Sequence, residues 1–289
     1  MSQLLLPGAG KTEVGILPAS DFCQRWTHRR HSWRHTSEGG FNSRAFEVAE
    51  IAQGDAVAFC EAHHYGGKPG GLLDQYGLYQ GEQLVGVAVL TNGGFPAVLR
   101  AAFPHLEPYA ESRELGRLVL LDRVPANAES WFLAEAFRRQ AARGTRGIVS
   151  FSDPVARVDP DTGAQTMPGH VGTIYQASNA TYTGRITPRT VWFHQGRLIN
   201  EQLLGKARNP GKEGHDYAVG QLLAWGATPR TRRQDPKVWL HQALRETGCY
   251  SQRHHGNHRY QFALGDRRQR RSVVLGGAAQ SYPKKDLAA

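Results

Sequence analysis

The chain contains 289 residues, of which 40% are hydrophobic and 21% charged, with 33 glycines. These proportions are typical of a globular protein with many turns and exclude a disordered chain, a collagen or a coiled coil. No run of eighteen apolar residues is present, and the leucine run 4–6 is too short for a signal-peptide core, so we expect no membrane partner. Three widely separated cysteines (Cys23, Cys60 and Cys249) indicate a reducing, cytoplasmic location without a disulfide framework.

The net charge of +10 is concentrated in the C-terminal part of the chain. Residues 1–180 carry 16 Lys and Arg against 18 Asp and Glu, whereas residues 181–289 carry 19 against 7. A near-neutral body joined to a strongly basic part is typical of an enzyme that acts on a polyanion such as nucleic acid. An ordinary basic surface from an arginine-rich genome is the alternative.

Residues 1–45 lack a clear period and are interpreted as an N-terminal extension. The segment 29–41 mixes basic, aromatic and glycine residues, which suits an extended segment on the body or a nucleic-acid contact. GAGKT at 8–12 resembles a phosphate-binding loop, but Leu5 stands where that motif requires a glycine and no strand precedes it. We therefore predict no phosphate-binding loop there.

The next part of the chain predicts a helix over 52–63, from the spacing of its apolar residues, and a hairpin over 75–90 with a Gly-Glu turn. A short helix is predicted at 96–103. The nearly continuous apolar residues of 111–122 indicate a strand that is covered on both faces.

A helix over 131–144 is predicted next, with Ser130 as its cap and Gly144 as its stop, before a second buried strand at 147–154. Two strands joined by a helix favour a parallel or splayed pair.

The remaining residues predict further short elements. A short helix and a turn are expected within 169–184, a hairpin with a Gln-Gly turn at 189–200, helices near 215–225 and 236–246, a strand at 257–265, and an exposed basic tail. The order of elements predicts a mixed α/β (α+β) fold with one central sheet.

Arg117 is the most unusual residue of the first buried strand. Period two places Leu115, Arg117, Val119 and Leu121 on one face, and a cation on such a face is costly unless it is paired or faces a ligand. Asp153, at the end of the neighbouring strand, is its expected partner. A structural ion pair and a pair that borders a ligand cleft at the strand ends are both open.

Tyr175 follows a buried strand in a short helix, a place that suits a general acid or a core aromatic residue. Asn179, four residues later, is expected on the same helix face, where its amide either holds a planar base or caps the helix. The helix start after RVPANAES is a weak candidate for phosphate binding.

Histidines offer weaker candidates. His63, His64 and His170 are considered for a metal, but adjacent helical histidines do not face one ion and no carboxylate stands at a recognised spacing, so we predict no metal site. His254, His255 and His258 are expected to contact phosphates or to end a strand.

Four segments together resemble the Mom family of phage-type DNA adenine modification proteins, which have an N-acetyltransferase-like (GNAT) fold. They are ELGRLVLLDRVPANAESWFL, GIVSFSDP, GHVGTIYQASNATYTGR and GNHRY, and the resemblance covers about residues 45–265. It implies a GNAT-like mixed sheet with splayed parallel strands in a catalytic domain at 46–265, DNA-binding insertions at about 185–250, and a flexible tail at 266–289. The implied reaction converts the exocyclic amine of adenine in DNA to a methylcarbamoyl, acetamido-type adduct that blocks restriction enzymes.

The resemblance also assigns functional residues. Arg117, Asp153 and Tyr175 match the functional positions of the family, and Ser130 falls where the superfamily places its donor-phosphate helix. We expect the donor at Val119, Leu121, Asn127 and Ser130. The usual Arg/Gln-x-x-Gly-x-Gly/Ala loop is missing, which leaves open acetyl-CoA, a related acyl thioester or an aminoacyl carrier such as aminoacyl-tRNA.

The expected partner is double-stranded or locally opened DNA, because adenine N6 lies inside the base stack. The residues expected to contact DNA are Asn179, Arg185, Arg189, Arg197, Lys206, Arg208, His258, Arg259 and the tail. We expect Asp153 to orient or deprotonate the amine, Tyr175 to protonate the leaving group, and Arg117 to fix Asp153 or the donor anion. A GNAT-like acyltransferase for a small amine or protein and a non-catalytic DNA-binding protein are the rival functions. The resemblance places the protein in a bacterial host cell, encoded by a phage, a prophage or the chromosome.

Overall fold

A computed structural model describes residues 22–27, 30–35, 37, 40–163, 165–167 and 169–284. GAGKT, parts of the segment 29–41 and residues 285–289 lie outside this range. The strands are β1 Phe22–Thr27, β2 Arg30–His35, β3 Glu47–Glu50, β4 Leu72–Gln80, β5 Gln83–Thr91, β6 Ser112–Leu120, β7 Gly147–Ser152, β8 Arg157–Val158, β9 Gln165–Met167, β10 Thr181–Arg185, β11 Arg189–His194, β12 Arg197–Leu198, β13 Tyr250–His254 and β14 His258–Ala263. The α-helices are α1 Gln53–His63, α2 Pro96–Ala102, α3 Ala128–Ala142, α4 Thr173–Ala177, α5 Glu201–Ala207, α6 His215–Ala224, α7 Pro236–Glu246 and α8 Arg267–Ser272.

A seven-stranded mixed sheet in the order β10-β14-β7-β6-β5-β4-β3 forms the centre of the body. Strands β3, β4, β5 and β6 pair with one another in antiparallel order, and β4 and β5 form the predicted hairpin. After β6 the chain crosses over through α3 and returns as β7, parallel to β6. The predicted mixed α/β fold with a parallel strand pair is confirmed.

Helices cover both faces of this sheet. Phe132 and Leu133 of α3 pack in the largest apolar cluster, with Leu90 and Tyr260 of the sheet. On the other face α1 packs on Val87, Val89 and Val119, while α2 packs on β7. Because neither face is open to water, β5 is buried over seven successive residues, which is why its sequence lacks alternation.

Strands β6 and β7 pair only through 112–114 and 147–149, and they diverge beyond that point. Within β6, the register against β5 shifts at Gly116, so this residue is the extra residue of a β-bulge. The bulge places Leu115 in the cluster below α3 and Val119 in the cluster below α1. The prediction that Leu115 shares a face with Arg117 and Val119 is therefore wrong.

Helix α3 begins at Ala128, three residues before its predicted start. Asn127 precedes it in the left-handed conformation, at φ 70°, and makes no side-chain capping bond. Ser130 lies inside the first turn, where its hydroxyl donates back to the Asn127 carbonyl over 3.1 Å. Ser130 is thus wrong as the cap, because the turn before the helix ends three residues earlier than its polar sequence suggests.

Residues 189–254 form a separate layer, here called the C-terminal unit. Strands β12-β11-β13 make a three-stranded sheet, and α5, α6 and α7 enclose a core of their own around Leu222, Trp239 and Leu244. The predicted hairpin at 189–200 and the predicted helices near 215–225 and 236–246 are confirmed. Among the residues described, no helix combines the length and apolar character needed to cross a membrane.

Residues 273–284, here called the C-terminal strap, lie against the body, whereas the sequence predicts an exposed flexible tail. The Gly276 N–H donates to the Ala102 carbonyl over 2.6 Å, and the Gln280 N–H donates to Tyr182 of the edge strand β10 over 2.9 Å. The Tyr282 hydroxyl donates to the Ala180 carbonyl over 2.7 Å. The strap therefore covers a sheet edge that would otherwise expose unpaired backbone groups.

We expect Gly276→Ala to destabilise the fold by about 1–3 kcal/mol, since a Cβ there would lie 1.7 Å from the Ala101 carbonyl oxygen. Thermal unfolding and limited proteolysis at the strap measure this effect, with the exposed Ala279→Ser as control. Equal melting temperatures for the two variants would show that the strap does not pack as described.

Candidate functional site

Polar side chains gather where β6 and β7 diverge, at the end of the sheet where α3 begins. They belong to β6, β7, the chain after α1 and the chain between β7 and α4. We call this group the polar cluster; its members are His64, Tyr65, Glu114, Arg117, Ser150, Asp153, Arg157, His170, Tyr175, His254 and His258. Carboxyl ends of diverging strands are the usual ligand site of an open α/β sheet.

Arg117 projects from β6 just after the bulge, toward the chain that follows α1. Its guanidinium donates to the carbonyls of Gly66, Gly67 and Gly116 over 3.1, 3.3 and 2.8 Å. The predicted Arg117–Asp153 ion pair is wrong, because carbonyl oxygens surround the cation and Asp153 has other partners. Burial, and after it the positive charge of Arg117, lowers the pKa of His64 to about 3.

Asp153 follows β7 and is bound by three donors. Arg157 contacts one carboxylate oxygen over 2.6 Å, while the Val155 N–H and His254 Nε2 contact the other over 2.9 and 3.0 Å. The Gly256 N–H donates to His254 Nδ1, so the proton of the neutral imidazole lies on Nε2 and points to Asp153. Burial raises the pKa of Asp153, but these donors outweigh it and hold that pKa below its ordinary value. The carboxylate is therefore ionised near neutral pH.

Tyr175 of α4 lies between the diverging strands, where its ring packs against Tyr260 at 5.3 Å between centroids. The Ser150 hydroxyl donates to the Leu115 carbonyl over 3.2 Å and lies beside the phenol. Burial raises the pKa of Tyr175, and Ser150 offsets only part of that rise. A phenol that stays protonated there can act as a proton donor. The packing of the ring is equally compatible with the other interpretation of Tyr175, a core aromatic residue.

Tyr65 and His170 lie next to each other in the polar cluster. The phenol oxygen and Nε2 are 3.4 Å apart, and the His170 N–H donates to the Asp153 carbonyl over 2.8 Å. Burial raises the pKa of Tyr65 and lowers that of His170 to about 4. The His-His-Tyr sequence after a helix was the available signal, but only the tertiary structure brings it to Asp153.

The three metal candidates do not converge. His63 packs on Phe59, with 4.7 Å between ring centroids, whereas His64 Nδ1 accepts the Gly66 N–H over 2.9 Å. Within the described part of the chain, no group of three or more His, Cys, Asp and Glu is arranged to hold a metal ion.

Glu114 also belongs to the polar cluster, although the sequence patterns did not predict it as a site residue. It occupies the last paired position of β6 before the strands diverge. Burial raises its pKa to about 7, and Arg117 opposes only part of this shift. The signal in the sequence was an acidic residue in an otherwise apolar strand.

The residues expected to hold the donor are placed unequally. Val119 is buried below α1, and the Leu121 N–H donates to Val85 of β5 over 2.9 Å. In an antiparallel ladder, the backbone N–H and C=O groups of every second residue point to the same side. Since the Leu121 N–H points to β5, the backbone groups of Leu118 and Leu120 point to the other side, toward the gap with β7. The bulge at Gly116 determines which residues of β6 point their backbone groups toward the gap. Asn127 and Ser130 lie at the amino end of α3, beside the gap.

Of the residues expected to contact DNA, several have structural partners. His258 is 2% exposed and lies 2.9 Å from the Tyr182 hydroxyl, and the Arg259 guanidinium bonds Thr183 and the Gly276 carbonyl of the strap. Because β14 is an inner strand, His258 is buried and Arg259 is half-buried, and their expected contacts with DNA stay predictions. Asn179 follows α4 in the left-handed conformation, at φ 60°, so it ends this five-residue helix and does not share a face with Tyr175.

The remaining basic residues lie on the surface or near it. Arg189 pairs with Glu201 over 2.6 Å, and Arg197 pairs with Asp161 over 2.8 Å and Asp159 over 3.3 Å. Arg185 and Arg208 are exposed and Lys206 is half-buried. The arginines of α8 lie beside the start of β7, at the end of the sheet opposite to the polar cluster.

Comparison with known proteins gives a family and a distant structural likeness. A family model described as the Mom protein family matches residues 45–284. A solved structure titled "Tandem GNAT protein from the clavulanic acid biosynthesis pathway (without AcCoA)" is 10% identical, with a TM-score of 0.39, over 76% of this chain and 99% of that one. No curated protein matches the chain.

The raised pKa of Glu114 predicts a pH-dependent stability. The folded protein binds this proton more tightly than the unfolded chain, so stability falls as the pH rises from about 4.5 to about 7. Glu114→Gln removes this fall, whose size is on the order of 3 kcal/mol. Urea unfolding at pH 5 and pH 8 measures it, and identical pH dependence in the wild type and the variant would contradict the prediction.

Proposed function

The chain belongs to the Mom protein family, and from this premise we propose that it modifies adenine in DNA. It transfers an acetamido- or methylcarbamoyl-type group to the N6 amine and so protects the DNA from restriction in the bacterial cytoplasm. The observation that carries the proposal is that the ionised Asp153 and the protonated Tyr175 both lie close to Tyr65, beside the diverging strands. Such a pair provides a hydrogen-bond acceptor for an amine and a donor for a leaving group.

The positive charge of the C-terminal unit supports DNA as the substrate. The C-terminal unit carries eleven Lys and Arg against five Asp and Glu, and it adjoins the polar cluster through the bond from His254 to Asp153. Arg185, Lys206 and Arg208 are the expected residues best placed for phosphates, since described acidic side chains do not pair with them. Adenine N6 lies inside the stack, so the enzyme turns the base out or acts on an opened strand, at a cost of a few kcal/mol.

Asp153 accepts a hydrogen bond from the N6 amine and receives its proton as the new nitrogen–carbon bond forms. Adenine N6 is a weak nucleophile, so its orientation matters more than the basicity of the acceptor. Arg157 and His254 are positioning residues in this scheme, because they hold the carboxylate from both of its oxygens.

Tyr175 gives its proton to the departing group, whose bond to the transferred carbon breaks. The burial that keeps the phenol protonated also excludes water from the gap, which strengthens its hydrogen bonds. Ser150 orients the phenol oxygen from the facing strand.

The donor would be an acyl thioester related to acetyl-CoA or an aminoacyl carrier that supplies the whole group, including its amide nitrogen, because an acetyl group alone lacks that nitrogen. The gap between β6 and β7 and the amino end of the 15-residue α3 fit an elongated anionic group. Backbone groups of Leu118 and Leu120 would bind it along β6, and Asn127 and Ser130 would lie beside its anionic end. Arg117 stands at the same gap with its charge unpaired by Asp153, so of its two expected roles we retain contact with the donor anion.

Nucleoside mass spectrometry of total DNA from bacteria that express the protein tests this function. We expect a deoxyadenosine adduct with the wild type, and a decrease of at least about a hundredfold with Tyr175→Phe, since general acid–base groups contribute about 10²–10⁴ in rate. Asp153→Asn, which keeps the size of the side chain, is expected to lose at least as much. Tyr217→Phe, an exposed tyrosine of α6, is the matched control.

Full modification by folded Tyr175→Phe and Asp153→Asn would overturn the assignment. An unmodified pool of nucleosides, together with acylation of a small amine or protein, would show a different acyltransferase. Salt-sensitive DNA binding without any modification, in a host that supplies the candidate donors, would show a binding protein.

A further inference from the structure

A cavity of about 490 Å³ opens in the C-terminal unit, between the β11–β12 turn and helices α5 and α6. Its volume is within the range of about 300–1,000 Å³ that is usual for small-ligand clefts. Nothing in the proposed chemistry uses this cavity. The residues of its wall that matter here are His194, Arg197, Asn200, Gln221, Ala224 and Trp225.

The wall combines flat aromatic rings with polar side chains. His194 and Trp225 lie nearly parallel, at 15° with 4.2 Å between ring centroids. Asn200 and Gln221 bring amide groups to the same wall. An aromatic stack beside amides suits a planar heterocycle, which extends the stack with its ring and uses its edge for hydrogen bonds.

The charge of the unit argues for an anionic carrier of that heterocycle. The C-terminal unit has six more Lys and Arg than Asp and Glu. Arg208 follows α5 and is exposed, while Arg230, Arg232, Arg233 and Lys237 lie between α6 and the start of α7. Bases on a phosphate backbone present both features together, since the phosphates follow the cations and one base enters the cavity.

The rim of the cavity is also attached to the polar cluster. Arg197 pairs with Asp159 and Asp161, which follow Asp153 by only a few residues. From the other side, β13 pairs with β11 and ends at His254, which bonds Asp153. Two connections therefore fix the distance between the cavity and Asp153. A fixed distance is needed if both are to contact the same bound strand.

We propose that this cavity binds an unstacked base of the DNA strand, at a position other than the modified adenine. The proposal rests on the proposed function, since it identifies that enzyme's substrate as a strand with at least one opened base beyond its target. A base bound in the cavity would allow the enzyme to distinguish the sequences that surround its target adenine.

The test is a binding cycle with the full-length protein and two 12-residue oligonucleotides, one of deoxyadenosines and one fully abasic strand of equal charge. Trp225→Leu keeps apolar packing but removes the stack, so we expect about tenfold weaker binding of the adenine strand and unchanged binding of the abasic strand. The salt dependence of binding stays as in the wild type, because no phosphate contact is lost. Fluorescence anisotropy measures both strands.

Two further variants keep the test decisive if Trp225→Leu fails to fold. Ala224→Leu adds a side chain at an exposed lining position of α6, so it blocks the cavity without removing any packing and should reproduce the tenfold loss. Tyr217→Leu removes an exposed aromatic ring from the same helix, outside the cavity wall, and should bind both strands like the wild type.

Equal losses on both strands, or no loss with Ala224→Leu, would overturn the proposal. Because binding is measured without any group donor, its failure is separable from that of the proposed function. Adenine modification by the wild type together with no base-dependent effect of Ala224→Leu removes the cavity proposal alone. A base-dependent effect without modification supports the cavity and removes the proposed reaction.

Discussion

The parting of β6 and β7 after three paired residues is the constraint on which the site depends. Backbone groups inside a protein need hydrogen-bond partners, so a strand pair that opens within a core must be completed by other groups. Ser150 completes one position, where its hydroxyl reaches the Leu115 carbonyl. Beyond it the two strands, as described, make no ladder pairs with each other.

The bulge at Gly116 determines which residues meet this gap. One extra residue reverses the alternation of β6. As a result, the Arg117 side chain points toward the chain after α1, and the backbone groups of Leu118 and Leu120 point toward β7. Without it, Leu115 and Arg117 would lie on the same face. A single irregular position thus separates the cation from Asp153 and brings it to the carbonyls of the chain after α1.

Asp153 joins the two parts of the protein. Its side chain is bonded by His254 from the C-terminal unit and by Arg157 from the chain after β7, while its carbonyl receives the His170 N–H. These bonds hold the carboxylate ionised, and they also fix the basic unit beside the gap. The Asp153 carboxylate and the basic C-terminal unit are therefore placed by the same interactions.

Local patterns in the sequence predicted many of the elements and the mixed α/β class of the fold. Apolar spacing, turn residues and charge indicated the β4–β5 hairpin, the crossover through α3, the hairpin of the C-terminal unit and the basic second half, because each depends on near neighbours in the chain. The motifs around Arg117, Asp153 and Tyr175 also indicated the family. The tertiary structure alone decided the partners: Arg117 with carbonyls of the chain after α1, Asp153 with His254 a hundred residues away, Tyr65 with His170, and the strap along β10. Those contacts depend on a bulge, on the divergence of two strands and on long-range packing, none of which leaves a periodic signal in the chain.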